Sequence, residues 1–141
     1  MKDRPTIYVC GPMRGHRLFN FPSFDRARDE LKAKGFEVVS PADIDREGGF
    51  NPEDIDPLNW NPHDAGRWMW EEYNPESITH YYESKGLEPP KLRSLDQVVR
   101  DDLEQVQKAD CLYMLTGWEN SKGAQAEHAV AEWLNKVIIY E

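Results

Sequence analysis

"TIYVCGPMRGHRLFNFPSFDRARDELKAKGFEVVSPA", residues 6–42, reads as strand, helix, strand. "TIYVC" is a short apolar run that stops at Gly11-Pro12, as a buried strand does. In "NFPSFDRARDELKAKG", Phe21, Phe24, Arg28 and Leu31 mark one helical face, Pro22 suits a first turn and Gly35 suits a stop. "FEVVSPA" is a second strand. Two strands joined by a helix run parallel, and their crossover is right-handed. That unit sets the fold class.

The rest of the chain extends it. "SLDQVVRDDLEQVQKAD", residues 94–110, is a helix in which Ser94 and Gln97 match a capping box. Strand "CLYML", loop "TGWENSKG", a helix from about Ala124 to Asn135 and strand "VIIY" follow. The expectation is a single α/β domain over residues 1–141. It is a small three-layer, Rossmann- or flavodoxin-like domain with a mostly parallel sheet of about four to five strands.

Residues 43–93 depart from this pattern, being rich in Pro, Asp, Glu and aromatics. So long a stretch without structure is unusual in a compact domain. Short helices are expected at "DAGRWMWEEY" and "PESITHYYESKG". The insertion reads as a lid over a pocket or a subunit interface, or alternatively as a surface segment packing Trp60, Trp68 and Trp70 onto the core.

A net charge of −9 argues against duplex nucleic acid, which needs a basic footprint. It leaves room for a small anionic ligand held by backbone N–H groups and one Arg. No apolar run reaches membrane-span length and "MKDRPTIYV" has no signal-peptide pattern, so no membrane association and a cytoplasmic location are expected. Cys10 and Cys111 read as buried thiols of a reducing compartment, with a disulfide as the alternative. The four histidines lack metal-ligand spacing, so no metal and no cofactor is expected.

Two carboxylates lie on apolar helix faces. Around the 94–110 helix, Leu95, Val98, Val99, Val106 and Ala109 form a stripe, and Asp102 falls within it while Asp101 falls outside. In the last helix Ala124, Val130, Ala131, Trp133 and Leu134 define the apolar sector, and Glu127 lies inside it. One inward carboxylate can be a cap or half of a core ion pair. Two, from helices flanking one strand, can meet at the carboxyl end of a parallel sheet, where such folds bind ligands. Paired carboxylates at an anomeric carbon are the usual equipment for breaking a glycosidic bond. "CGPMRG" and "NSKGAQ" offer Gly11, Gly15, Gly123 and their backbone N–H groups near strand ends, with Arg14, Ser121 and Lys122 to meet a phosphate.

"IYVCGPMRG", "RDDLEQVQKAD" and "CLYMLTGWENSKGAQAEHAVA", in this order, resemble the nucleoside 2-deoxyribosyltransferase-like superfamily, most closely its DUF4406-type branch. They are also similar to the deoxynucleoside 5′-monophosphate N-glycosidases of that superfamily. The resemblance covers residues 5–42 and 94–141. It implies that Glu127 is the nucleophile at the sugar C1′, that Asp102 sits near the sugar and the leaving base, and that Tyr8 orients the glutamate. It makes Arg14 an arginine of the first glycine loop. It places Ser121, six residues before Glu127, where the monophosphate hydrolases carry a phosphate-binding serine and the transferases an aspartate. Pro12 stands where the hydrolases have a serine, and "GAQAE" has one glycine where they have two.

The expected ligand is therefore a small nucleotide or nucleoside, and the expected reaction is hydrolysis of a (deoxy)nucleoside 5′-monophosphate. A nucleoside 2-deoxyribosyltransferase and a non-catalytic nucleotide-binding module are the alternatives. The resemblance and the aromatic insertion together imply a homodimer or higher homo-oligomer. Residues between Phe50 and Tyr82 would meet the partner or close the pocket.

Overall fold

A computed structural model describes residues 4–14, 16–54 and 75–141. In chain order they form β1 (Thr6–Cys10), α1 (Phe21–Ala33), β2 (Glu37–Val39), α2 (Pro41–Glu47), α3 (Pro75–Ser84), α4 (Leu95–Lys108), β3 (Cys111–Met114), α5 (Lys122–Trp133) and β4 (Val137–Tyr140). The sheet order is β2-β1-β3-β4 and every pairing is parallel. The chain leaves β1 for β2 on one side and later returns to β3 on the other. The carboxyl ends of β1 and β3 therefore flank the switch point where open parallel sheets bind ligands.

Alternation along the strands separates two cores. Ile7 and Val9 point to one face and pack with Phe21, Phe24, Ala27 and Leu31 of α1. Tyr8 and Cys10 point to the other and pack with Val106 and Ala109 beside α4 and with Ala124 and Ala131 of α5. Helices thus cover both faces of the sheet, giving the three-layer Rossmann- or flavodoxin-like architecture. Cys10 and Cys111 are free thiols. They belong to opposite faces, so they are not placed to pair, and Cys111 is only half-buried.

Both later helices begin at a serine cap. Ser94 Oγ accepts from the Gln97 N–H at 3.2 Å, and Ser121 Oγ accepts from the Ala124 N–H at 3.2 Å. The reciprocal arm expected of a capping box is absent at Ser94, because the Gln97 side chain donates to Asp101 Oδ1 at 2.7 Å instead.

Four expectations about side-chain placement are corrected. On α1, Ala27 rather than Arg28 completes the core face, since Phe24, Ala27 and Leu31 keep the three-to-four spacing. Arg28 turns away to donate to Asp43 Oδ1 at 2.6 Å. On α4, Val106 is buried, but Leu95 and Val99 are 46% and 47% exposed, because the first half of that helix borders a cleft. On α5, contact with the sheet runs through Ala124, Glu127 and Ala131. Trp133 lies two residues beyond, roughly 200° round the helix, and is 85% exposed.

The expected helix at "PESITHYYESKG" is α3, with Ile78 and Tyr82 buried. Phe50 packs edge-on to Phe19 and Phe21, centroids 5.3 and 6.0 Å apart. These aromatics of the insertion therefore enter the core. The expected helix at "DAGRWMWEEY" and Trp60, Trp68 and Trp70 lie outside the described residues. No helix among the described residues is long and apolar enough to cross a membrane.

Candidate active site

A cleft of about 780 Å³ opens at the switch point. Tyr8, Gly11, Arg14, Asp102, Ser121, Gly123 and Glu127 all line it. Gly15 lies outside the described residues. Residues far apart in the chain thus converge on one cavity, and the cause is topological. The loops after β1 and β3, the start of α5 and one face of α4 all meet at the carboxyl end of the sheet.

Glu127 is 8% exposed. Burial, then the charge of Asp102, pushes its carboxyl up to about 8, while the Tyr8 hydroxyl beneath it pulls the other way. Even so, Tyr8 Oη and Glu127 Oε2 are both buried without a hydrogen-bond partner among the described residues. Burial and the neighbouring carboxylates hold the Tyr8 hydroxyl well above its usual range, so it remains a donor. Asp102 is raised by burial, held down by Arg93 and raised again by Asp101, ending at about 6. Each carboxyl therefore holds its proton to a higher pH than a free side chain does, burial being the first cause in both.

Asp101, one residue earlier, does not line the cleft. Arg93 donates to it at 2.8 Å and Gln97 at 2.7 Å, and these bonds lower its pKa. The helical phase read from the apolar stripe therefore separates the two aspartates as expected.

Asp45 and Arg93 are cleft residues absent from the expected set. Arg93 reaches Asp45 Oδ1 at 3.5 Å as well as Asp101. The Asp45 side chain keeps 30% of its surface open to water, an opening onto the cleft. The protein around it still raises its carboxyl to about 7, against the pull of Arg93. Asp45 gave no periodic signal, because it sits in the seven-residue α2. Arg93 gave none, because it precedes the helix cap and follows no period.

The two glycines of the loops differ. A Cβ on Gly11 would stand 2.7 Å from the Cβ of Leu115, so the protein's own packing demands a glycine there. A Cβ on Gly123 would meet nothing nearer than Ser121 Oγ at 4.0 Å. The protein's own packing therefore leaves room for a side chain at Gly123, which lines the cleft. Ser121, although capping α5, keeps its own hydroxyl proton to donate outward. The loop after β1 ends in three left-handed residues, Leu18, Phe19 and Asn20, with φ of 55°, 51° and 61°. Asn20 Nδ2 donates to Pro12 O at 2.8 Å. Non-glycine backbone of this kind persists only where its surroundings impose it, and it gathers at ligand sites. Among the described residues no group of three or more His, Cys, Asp and Glu side chains is arranged to hold a metal ion.

The family described as "Domain of unknown function (DUF4406)" matches residues 5–58 and 79–140. Comparison with curated proteins and with solved structures finds no match.

Proposed function

We propose, on the premise that this chain belongs to the DUF4406 family, that it breaks the N-glycosidic bond of a (deoxy)nucleoside 5′-monophosphate. The supporting observation is one cleft holding two carboxyls, buried Glu127 and half-buried Asp102, beside a serine-capped helix start and an arginine-bearing loop.

In this reading Glu127, as the carboxylate, forms a bond to C1′ while the C1′–N bond breaks and its electron pair leaves with the base. The carboxyl proton of Asp102 goes to that base. Water then attacks C1′, gives a proton back to Asp102 and frees Glu127, leaving a 5-phosphosugar. Of the two carboxyls, Glu127 is raised further. Positive charge developing at C1′ favours the ionised glutamate and leaves the proton on Asp102, as suits a pair whose roles are set by environment. Tyr8 steadies the ionised glutamate. Arg14, Ser121 and the N–H groups at the start of α5 hold the phosphate.

The test is incubation with a panel of nucleosides and 5′-monophosphates, with chromatography for free base. Release of base from a monophosphate supports the reading. Base exchange only when a second base is added favours a 2-deoxyribosyltransferase. Thermal stabilisation by nucleotides without cleavage favours a binding module.

A further inference from the structure

We infer that Asp45 is a specificity-determining residue of the cleft, where its carboxylate accepts a hydrogen bond from the exocyclic amino group of the base, so that the site takes amino-bearing bases over their keto counterparts. The inference rests on the placing of phosphate and base in the reading given above.

Sheet order sets the direction of the cleft. β2 and β3 flank β1, so the strands that lead into α2 and α5 stand two strand spacings apart, about 10 Å. A phosphate held by Ser121 and the start of α5 leaves the base on the β2 side, where Asp45 of α2 lines the cleft. A second constraint fixes the level along α4. The Arg93 guanidinium donates to Asp101 at 2.8 Å and to Asp45 at 3.5 Å, so Asp45 stands beside the turn of α4 that carries Asp102. A base that takes the Asp102 proton is thus within reach of Asp45. Val98 and Val99, one turn before Asp102 on the cleft wall, lie against its face.

Asp45 also has acceptor capacity to spare. Asp43, on the same short helix, does not line the cleft and is taken up by Arg28 at 2.6 Å and Arg46 at 3.4 Å. Among the described residues the Asp45 carboxyl accepts one long bond, from Arg93, whereas its two oxygens have about four acceptor sites. An ionised carboxylate only accepts, so it selects what the base edge donates. Cytosine presents its N4 amino group, and uracil presents in its place a carbonyl that repels the charge. The ring N–H of uracil lies between two such carbonyls and offers no clean alternative.

The experiment is titration calorimetry of the whole chain at about pH 8, where an Asp45 carboxyl raised to about 7 is mostly ionised. Glu127→Gln is the background, so that bound nucleotides stay intact. The probes are dCMP with dUMP and dAMP with dIMP, pairs that exchange an amino group for a carbonyl. The tighter-binding of dCMP and dAMP should exceed its keto partner at least about tenfold, the scale of one base-edge contact. Asp45→Asn, whose amide can donate to a carbonyl, should bring that ratio close to one. Asp45→Ala should do the same and serves if the Asn variant does not fold. A ratio near one in the background protein, or a ratio that neither variant changes, overturns the inference, as does failure of every probe to bind. The affinities need no turnover. Amino-selective binding without base release by wild type would remove the glycosidase reading and leave Asp45 standing. Base release indifferent to the amino group would do the reverse.

Discussion

Tyr8 and Glu127 line the same cleft, and Tyr8 Oη and Glu127 Oε2 are both buried with no hydrogen-bond partner among the described residues. A buried polar atom left unpaired costs about 1–3 kcal/mol, and burial also raises the Glu127 carboxyl to about 8 from 4.5. The folded protein therefore holds this proton to a higher pH than the unfolded chain does. The stability tied to Glu127 is full below about 4.5, falls as pH rises and is lost above about 8. Glu127→Gln stays neutral throughout. It should melt with wild type at low pH and, near pH 9, roughly 5 °C higher. Melting curves that stay superimposed across this range would mean that the carboxylate is not strained by its site.

The same change should abolish turnover. Glu127→Ala should lower kcat by at least about a hundredfold with the fold intact, and Asp102→Asn should do comparable harm. Asp101→Asn should be mild, because Asp101 is bonded to Arg93 and Gln97 away from the cleft. Steady-state rates of base release, with circular dichroism to check folding, make the comparison. A critical Asp101 would reverse the assignment.

The glycines separate folding from binding. Gly11→Ala forces a Cβ to 2.7 Å from Leu115 and should destabilise the protein by about 1–3 kcal/mol, the usual range for overpacking. Gly123→Ala should fold normally and weaken the apparent affinity for monophosphates. Arg14→Ala should erase most of the preference for monophosphates over nucleosides, since charge-assisted bonds to phosphate are among the stronger ones. Denaturant melts and substrate saturation curves of the three variants distinguish these outcomes. Equal use of nucleoside and monophosphate by wild type would refute the phosphate assignment.

Assembly should involve a face that the aromatic insertion did not suggest. Trp133, Leu134, Val137 and Tyr140 are 85%, 45%, 60% and 56% exposed where α5 meets β4, which ends the described sheet. Apolar surface beside a sheet edge invites pairing. Light scattering at micromolar concentration should report at least a homodimer, and Trp133→Glu should shift it towards monomer. An active monomer of 16.4 kDa would mean that each pocket is built from one chain.

How far the site could be read depended on periodicity. Glu127 and Asp102 stood out because a carboxylate inside an apolar helical stripe is a violation that a single phase exposes. The βαβ units were legible for the same reason. Asp45 was hidden because α2 spans only Pro41–Glu47, too short to show a phase, and Arg93 because a loop has none. Leu95 and Val99 show the opposite limit. An apolar stripe marks a face that avoids polar groups, and it reads alike whether that face meets a core or a cleft.

Those two side chains have a calorimetric consequence. Leu95 and Val99 are nearly half exposed and, with Val98, form part of the cleft wall. A base seated on them removes hydrocarbon from water, and such burial carries a negative heat-capacity change. Binding of a monophosphate should therefore become steadily more exothermic on warming, although its charged contacts keep their geometry. Titration calorimetry at several temperatures should give a negative slope, and Leu95→Asn should flatten it. A slope of zero would mean that the base sits elsewhere, with the apolar wall left facing water.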